Sequence, residues 1–280
     1  MFKNADSATV SKPVDAPFAW YGGKKKMAGW LIERFPEHVR YVEPFGGAGH
    51  VLFTKPPSVF EVFNDLDNRI VNFYRVVRDP DLFKRLQLIL ELSPHAREEF
   101  DDAMDTSLCK DPVENARRFL VLMRQARGGL GMTAATKPAW AVSKRVRRKM
   151  PEAVSKFLTA IDGLPDVHER LRHVTIECLP ALQVIEKYDG PDTFFYVDPT
   201  YLAETRHGKK AATYLHEMTR EDHEALLDLL LTVKGKVMVS GYRSELYDCV
   251  LAGWRREEYV TTAQVANSGQ QRVEVVWMNF

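Results

Sequence analysis

The sequence predicts an α/β fold, in which a mostly parallel sheet carries helices on both faces. Short apolar runs rich in valine, phenylalanine and tyrosine alternate along the chain with longer segments of helical spacing. A glycine-rich turn at residues 46–49 follows one such run, and an acidic residue follows the next run, about 20 residues later. Strands that alternate with helices form parallel sheets buried on both faces, so a Rossmann-like sheet is expected.

Composition sets bounds on the class of protein. A chain of 280 residues with 45% hydrophobic content can form one large domain and a smaller insert. The formal net charge is only +1, so any nucleic-acid-binding surface must be local. Cys109, Cys178 and Cys249 are far apart and form no C-x-x-C pair, which indicates neither a zinc site nor a disulfide framework and fits a reducing cytoplasm. We expect no membrane span, because no apolar run reaches about 18 residues.

The elements can be assigned in chain order. Residues 1–16 are mixed and polar and predict a flexible N-terminal tail. Strand 41–43 then ends at Glu43, which can accept hydrogen bonds from amines or hydroxyls. The turn that follows contains Gly46, Gly47 and Gly49, which permit positive φ and close approach to a ligand, and the next helix start supplies free N–H groups. A tight turn without a ligand is the alternative.

The second strand, at residues 58–63, leads to Asp65. An acid at this place binds the ribose diol in nucleotide-binding α/β folds. A helix is expected from about residue 68 to 77, because Asp79-Pro80 then breaks the pattern. The segment 79–173 has helical spacing and many charges. After it the sequence predicts strands at 174–176, 193–197, 236–240, 255–261 and 273–280, and helices starting near residues 219 and 244.

The tetrapeptide Asp198-Pro199-Thr200-Tyr201 follows the strand at 193–197. The Asp198 carboxylate and the Pro199 carbonyl are two hydrogen-bond acceptors, and the Tyr201 ring is a stacking face. These three groups suit a planar base with an exocyclic amine. Taken alone, the tetrapeptide could also be an ordinary turn between a strand and a loop.

A third motif, Trp20-Tyr21-Gly22-Gly23-Lys24, lies ahead of the glycine turn. Lys24 could meet a carboxylate, and Trp20 could stack on a ring or a sulfonium. An aromatic anchor before a basic helix start explains the same residues without a ligand.

In this order, the three motifs resemble those of the Dam-type (D12 class) adenine-specific DNA N6-methyltransferases. The resemblance also includes Asn64-Asp65-Leu66-Asp67 and the last strand, and it covers roughly residues 18–280. The chain departs from the family at Thr200, where a second proline is usual. Threonine restores a backbone N–H and relaxes φ, but it leaves Asp198, the Pro199 carbonyl and Tyr201 in place.

The resemblance implies a Rossmann-like S-adenosylmethionine-dependent methyltransferase sheet in residues 17–78 and 174–280. Residues 79–173 would form an inserted, mainly helical target-recognition subdomain. S-adenosylmethionine would be the methyl donor, with no metal required. The catalytic residues would be Asp198, Pro199 and Tyr201. The cofactor-binding residues would be Trp20, Tyr21, Lys24, Glu43, Phe45, Gly46, Gly47, Gly49, Asp65, Glu177 and Asp198. A surface acid is an equally good interpretation of Glu177.

Double-stranded DNA would be the partner. Residues 144–149 contain five cations in six positions, Lys144, Arg145, Arg147, Arg148 and Lys149, and could contact phosphates or form a solvated helix face. Arg124 and Arg127 precede a glycine-rich loop at 128–131 and could read base edges. Arg206, Lys209 and Lys210 could hold the displaced strand. A restriction endonuclease partner, an orphan enzyme, a monomer and a dimer all stay open.

Other functions are compatible with parts of the sequence. A nicotinamide-dependent oxidoreductase could use the glycine turn and Asp65, but the G-x-G-x-x-G spacing is missing and the other two motifs would have no role. A DNA-binding module that has lost catalysis is a further alternative, to which Thr200 lends slight support. Transfer to cytosine N4 is a nearer alternative, since that base also has an exocyclic amine.

Overall fold

The structure is a computed structural model, and it describes residues 12–105, 109–127, 138–206, 214–262 and 271–280. Its strands are β1 (Arg40–Glu43), β2 (Phe60–Asn64), β3 (Val146–Arg147), β4 (Met150–Pro151), β5 (Val174–Glu177), β6 (Thr193–Val197), β7 (Lys236–Gly241), β8 (Arg255–Thr262) and β9 (Gln271–Met278). Within the described residues, seven of these strands form one sheet in the order β5-β2-β1-β6-β7-β9-β8. The α/β fold predicted from the sequence is therefore confirmed.

The first five strands of this order are parallel, and β9 runs antiparallel to both β7 and β8. Strand β1 lies between β2 and β6, because Arg40 pairs with Phe60 of β2 on one side and with Thr193 of β6 on the other. The chain thus continues in opposite directions from β1. Ligands of open α/β sheets bind outside the carboxyl ends of the strands at such a switch point.

Helices cover both faces of the sheet. They are α1 (Ala28–Ile32), α2 (His50–Thr54), α3 (Asn68–Arg78), α4 (Pro80–Leu92), α5 (Arg97–Ala103), α6 (Pro112–Gln125), α7 (Glu152–Asp162), α8 (Leu164–Leu171), α9 (Ala181–Tyr188), α10 (Arg220–Leu230) and α11 (Glu245–Val250). Within the described residues, none of these helices is both long and apolar enough to cross a lipid bilayer.

The helix starts follow from local side chains. Asp79 accepts from the backbone N–H groups of Asp81 and Leu82, and Pro80 occupies the first turn of α4, where its missing N–H costs no hydrogen bond. Thr219 and Asp222 form a reciprocal capping box at the start of α10. The predicted break after α3 and the predicted start of α10 are confirmed.

The segment between α3 and β5 packs onto the sheet rather than forming a separate core. Its helix α6 lies against α3, and Phe119 is within the same buried cluster as Phe73 and Tyr74. Phe18 joins this cluster from the N-terminal side, with its ring centroid 5.0 Å from that of Phe119. One continuous core therefore links the N-terminal motif, the sheet and the inserted helices.

The structure places two segments that the sequence assigned only broadly, the cations at 144–149 and the N-terminal residues. The cations at 144–149 do not form a helix face: they lie on a β3–β4 hairpin whose turn residues Arg148 and Lys149 have φ values of 53° and 59°. Of the expected tail, residues 1–11 lie outside the described part, whereas the Val14 N–H donates to the carbonyl of Phe53 at 3.0 Å. Val14 and Ala16 are partly buried against the core.

A buried charge network ties the last inserted helix to strand β2 of the sheet. Arg170 of α8 makes paired hydrogen bonds to Glu61 of β2, one of them 2.8 Å long, and Arg170 also donates to the carbonyl of Leu52. Lys55 binds the same carboxylate. Burial alone would raise the pKa of Glu61, but the hydrogen bonds and charges of Arg170 and Lys55 hold that pKa below its ordinary value.

Replacing Arg170 with methionine should lower the free energy of unfolding by about 3–5 kcal/mol, because a buried carboxylate loses its bidentate partner. Arg172→Met on the same helix is the matched control, since Arg172 and its partner Glu169 are 56% and 64% exposed. That control should change the free energy of unfolding by less than about 1 kcal/mol. Denaturant titration measures both values, and equal losses would contradict the structural role of Arg170.

Candidate active site

A cavity of about 960 Å³ opens at the carboxyl ends of the parallel strands, next to the switch point between β1 and β6. Its volume lies within the usual range for small-molecule sites. Its wall includes residues from all three sequence motifs, among them Trp20, Gly47 and Asp198. Residues that are far apart in the chain therefore share one space because parallel strands end on the same edge of the sheet.

The glycine turn forms one side of the cavity. A Cβ atom on Gly46 would lie 2.1 Å from the ring of Phe63, so no larger residue fits there. Gly47 has a φ of +51° and its N–H donates to Asp65 Oδ2 at 2.7 Å. The backbone of the turn is thereby fixed against the end of β2.

Asp65 and Asn64 hold the ends of three strands together. Asp65 Oδ1 also accepts from the N–H of Asp67 at 2.8 Å, and burial raises the pKa of Asp65 to about 6 although these hydrogen bonds oppose the shift. The side-chain amide of Asn64 donates to the carbonyls of Pro44 and Leu179, and its oxygen accepts from the N–H of Leu179. The carboxylate of Asp65 therefore lies at the cavity wall in a rigid position.

Glu43 lies at the end of β1 and is only 3% exposed. Burial raises its pKa to about 8, and the negative charge of Asp198 acts in the same direction, whereas the hydrogen bond from Tyr41 at 2.8 Å opposes the shift. At neutral pH this carboxyl group is mostly protonated. A cation bound beside Glu43 would favour its ionised form.

Lys24 and Asp198 form an ion pair inside the cavity. Lys24 Nζ lies 2.8 Å from Asp198 Oδ1, with the two side chains 6% and 18% exposed. Lys24 also donates to the carbonyl of Gly22 at 3.0 Å, and its Nζ lies 4.9 Å from the centre of the Tyr201 ring. The cation predicted to meet a carboxylate therefore meets that of the tetrapeptide.

The rest of the tetrapeptide is held by contacts from distant segments. Tyr201 donates its hydroxyl to Glu274 of β9, and its ring packs edge-on against Tyr242 with centroids 4.7 Å apart. Thr200, which replaces the proline of the family pattern, accepts from the N–H of Met218 through its hydroxyl at 3.1 Å. The threonine thus ties the tetrapeptide to the segment before α10.

That segment forms a further wall. Arg206 binds both carboxylate oxygens of Glu217, and its Nε donates to the carbonyl of Tyr201 at 2.6 Å. The Tyr214 ring packs edge-on against Tyr21, with centroids 5.5 Å apart, and its hydroxyl donates to the Tyr21 carbonyl at 3.3 Å. The wall therefore connects the tetrapeptide with the N-terminal motif.

Most residues proposed from the sequence line this cavity. They are Trp20, Tyr21, Lys24, Glu43, Phe45, Gly46, Gly47, Asp65, Arg124, Asp198, Pro199, Tyr201 and Arg206. Gly49 lies just behind the wall, where its φ of +65° lets α2 begin. Lys209, Lys210 and the loop at 128–131 lie outside the described residues.

Glu177 is placed differently. It is not among the residues that line the cavity, and its Oε1 accepts from Lys187 at 2.7 Å and from Tyr188 at 2.6 Å. These hydrogen bonds lower the pKa of Glu177. The residues that follow it in the chain, Leu179 to Leu182, line the cavity instead. The structure thus places Glu177 beside the cavity wall, where it is held by Lys187 and Tyr188 of α9.

The proposed DNA-contacting cations lie in two environments. Arg124 reaches the cavity wall and donates to the carbonyl of Lys156 at 2.6 Å, and burial lowers the pKa of its guanidinium. The Nε of Arg124 is buried and has no hydrogen-bond partner in the described part of the chain. Arg127 is exposed and lies outside the cavity. All five cations at 144–149 are exposed: Lys144, Arg145, Arg147, Arg148 and Lys149.

Several cavity residues were not identified from the sequence. Tyr214 belongs to no motif, and Asn64 and Glu274 lie in segments of the family resemblance to which no site role was given. His50, the first residue of α2, also lines the cavity, and burial lowers its pKa to about 4, so its imidazole is neutral. No group of three or more metal-ligating side chains is found within the described ranges.

Comparisons with known proteins agree with this arrangement. A profile of the D12 class of N6 adenine-specific DNA methyltransferases matches residues 20–265. The type II methyltransferase M.MjaIII of Methanocaldococcus jannaschii is 24% identical over 93% of this chain and 97% of its own length. The type II methyltransferase M1.LlaDCHI of Lactococcus lactis subsp. cremoris is 30% identical over 82% of each chain. The DNA adenine methylase of Salmonella typhi is 26% identical over 40% of this chain and 41% of its own.

The profile covers the three sequence motifs, from Trp20 through the glycine turn to the tetrapeptide, and it ends before β9. It also covers the inserted helices and the hairpin. The chain therefore belongs to the D12 class of N6 adenine-specific DNA methyltransferases.

Proposed function

We propose that the protein methylates adenine N6 at a short sequence in double-stranded DNA, within the cytoplasm. The methyl group would pass directly from S-adenosylmethionine to the exocyclic amine of an adenine flipped out of the duplex. One observation carries this proposal. The Asp198 carboxylate is fixed by Lys24 at 2.8 Å in the same cavity as the glycine turn and Asp65.

The residues present fit the proposed donor. Asp65 offers a carboxylate at the place where a ribose diol is bound, and Trp20 and Phe45 supply apolar surface for a ring. Glu43 offers a carboxyl group that a positive charge would ionise. When bound, S-adenosylmethionine supplies a methyl group on a sulfonium sulfur, which is electrophilic without a metal ion.

The tetrapeptide would act on the acceptor. The adenine amine is a poor nucleophile, because its lone pair is delocalised into the ring. Asp198 and the Pro199 carbonyl would accept its two N–H bonds and localise that lone pair. The nitrogen would then form its bond to the methyl carbon while the electron pair of the broken bond stays on sulfur, and the surplus amine proton would leave through Asp198. Tyr201 would stack on the flipped base.

The hairpin would supply part of the affinity for DNA. Lys144, Arg145, Arg147 and Arg148 are exposed, and phosphate contacts require such clusters. The next helix, α7, carries the Lys156 carbonyl that holds Arg124 at the cavity wall. A duplex bound by the hairpin would therefore lie next to the mouth of the cavity.

The proposed function can be tested by sequencing DNA from cells that lack their own adenine methylation and express this chain. We expect N6-methyladenine in one short sequence context. Its absence from cells that express Asp198→Ala would assign the modification to this site. DNA binding without any modified base in either culture would favour a binding module that has lost catalysis, and modified cytosine would favour the N4 alternative.

Purified Asp198→Ala should lose at least about 1,000-fold in the rate of methyl transfer to DNA, because the amine loses its charged acceptor. Transfer of labelled methyl groups measures the rate, and calorimetry with S-adenosylmethionine checks that the variant still binds the donor. Thr200→Pro restores the family pattern and should remain active. A fully active Asp198→Ala enzyme would disprove the proposed mechanism.

The pKa of Glu43 predicts that the free energy of unfolding of the enzyme without donor depends on pH. Its folded-state value of about 8 exceeds the ordinary 4.5, so the protonated carboxyl group stabilises the fold, and this contribution is lost as the pH rises through 8. Between pH 6 and 8 the loss should be about 2 kcal/mol. Glu43→Gln should lack this loss in denaturant titrations without donor. If the free energy of unfolding changed equally with pH in both proteins, the raised pKa would not belong to Glu43.

Neutralising two hairpin cations should reduce the salt dependence of DNA binding. Arg145→Gln combined with Arg147→Gln should lower the slope of log K against log salt by about 1.8, if each residue contacts one phosphate. This pair leaves the positive-φ turn residues Arg148 and Lys149 unchanged. The exposed pair Lys84→Gln and Lys110→Gln is the charge-matched control and should leave the slope unchanged. Equal slopes for both double variants would exclude the hairpin as a phosphate contact.

A further inference from the structure

A second residue contacts the catalytic carboxylate and has no role in the function described so far. Ser240 of β7 is fully buried, and its hydroxyl lies 2.7 Å from Asp198 Oδ1. Behind it, the hydroxyl of Tyr196 lies 3.2 Å from Ser240 Oγ. Tyr196 is 1% exposed and comes two residues before Asp198 in the chain. Two hydroxyl groups thus form a short chain that ends on the carboxylate.

The direction of these hydrogen bonds follows from the number of protons that each of the three groups can donate. An ionised carboxylate can only accept, so Ser240 must donate its single proton to Asp198. Ser240 then has only lone pairs left for Tyr196, and Tyr196 must donate to Ser240. Burial raises the pKa of Tyr196 well above its ordinary value, with the charge of Asp198 acting in the same direction, so the phenol keeps this proton.

Both donors to Asp198 approach the same oxygen. Lys24 Nζ lies 2.8 Å from Oδ1, as Ser240 Oγ does at 2.7 Å. Two donors on one oxygen fix the rotation of the carboxylate about its Cβ–Cγ bond. The other oxygen, Oδ2, is then available in a defined direction as the acceptor for a substrate amine.

The sheet register explains why Ser240 is in place to do this. Val197 pairs with Val239 in the parallel β6–β7 ladder, so the next residues, Asp198 and Ser240, lie side by side. The residues Val237, Met238 and Val239 before Ser240 are all buried and apolar. A hydroxyl at the end of such a run needs a hydrogen-bond partner, and Asp198 is that partner.

We propose that Ser240, supported by Tyr196, is a positioning residue for methyl transfer: it holds the Asp198 carboxylate in the orientation that accepts the adenine amine. This inference rests on the proposed function of Asp198. Lys24 places a positive charge next to the same oxygen, and the hydrogen bond from Ser240 fixes the orientation of the carboxylate. Loss of the hydroxyl would let the carboxylate rotate about Lys24 without removing either charged group.

The test is the rate of a single turnover with saturating donor and DNA. Ser240→Ala should reduce this rate about 10- to 100-fold, since a small displacement of a reacting group has effects of this size. Its dissociation constants for S-adenosylmethionine and for DNA should stay within about twofold of the wild-type values. Ser240→Thr keeps the hydroxyl and should recover most of the rate. Tyr196→Phe removes only the supporting donor and should cause a smaller loss of the same kind.

A matched control is present in the inserted helices. Ser155 is 1% exposed and its hydroxyl has no hydrogen-bond partner among the described residues, so Ser155→Ala removes the same atom from a buried site without a contact to the cavity. This control should keep the wild-type rate. Melting temperatures of all variants are measured alongside, to show that the single-turnover rates refer to folded protein.

The results of these measurements distinguish failure of the role proposed for Ser240 from failure of the proposed function. If wild-type protein methylates DNA and Asp198→Ala does not, but Ser240→Ala is as fast as the wild type, only the role of Ser240 is disproved. Loss of donor binding together with the rate in Ser240→Ala, without recovery in Ser240→Thr, would show that the residue supports the fold rather than the carboxylate. If the wild-type protein itself transfers no methyl group to adenine, the proposed function fails first.

Discussion

The ion pair between Lys24 and Asp198 is the interaction that joins the separate parts of the site. Lys24 belongs to the N-terminal motif, and Asp198 follows the central strand β6, so neither segment is near the other in sequence. Burying a lysine is unfavourable unless its charge is matched, and the carboxylate supplies that match. The pair therefore holds the N-terminal motif over the carboxyl ends of β1 and β6. Trp20, which packs against Gly47, closes the same wall from the other side.

The two acids nearest the centre of the cavity have different surroundings. Asp198 forms an ion pair with Lys24 and accepts a hydrogen bond from Ser240, whereas Glu43 is hydrogen-bonded by Tyr41 and by the Leu52 backbone and has a pKa of about 8. Two ionised carboxylates close together in a buried site would repel each other. The structure avoids this because Asp198 has a counter-ion, Lys24, and Glu43 keeps its proton at neutral pH. Separate environments allow the acids to serve different ligands.

The sequence predicted the features that depend on local chemistry. The helix break at Asp79-Pro80, the helix start at Thr219 and the glycine turn each rest on residues within a few positions of one another. Contacts set by strand pairing could not be predicted, and the pairing of β6 with β7 that brings Ser240 to Asp198 is one example. The hairpin was missed because its turn uses Arg148 and Lys149 at positive φ, where glycine or asparagine is the usual signal.

The inserted helices and the sheet share one core, so these helices also hold residues at the cavity wall. Helix α6 carries Phe119 into the cluster around Tyr74 and ends near Arg124, whose guanidinium lies at the cavity wall. Arg124 is held there by a carbonyl of α7, the helix that begins directly after the hairpin. The exposed cations and the cavity are thus connected through packed helices rather than through a loose linker. A duplex bound by the hairpin would therefore have a fixed position relative to Asp198, which direct transfer to one chosen base requires.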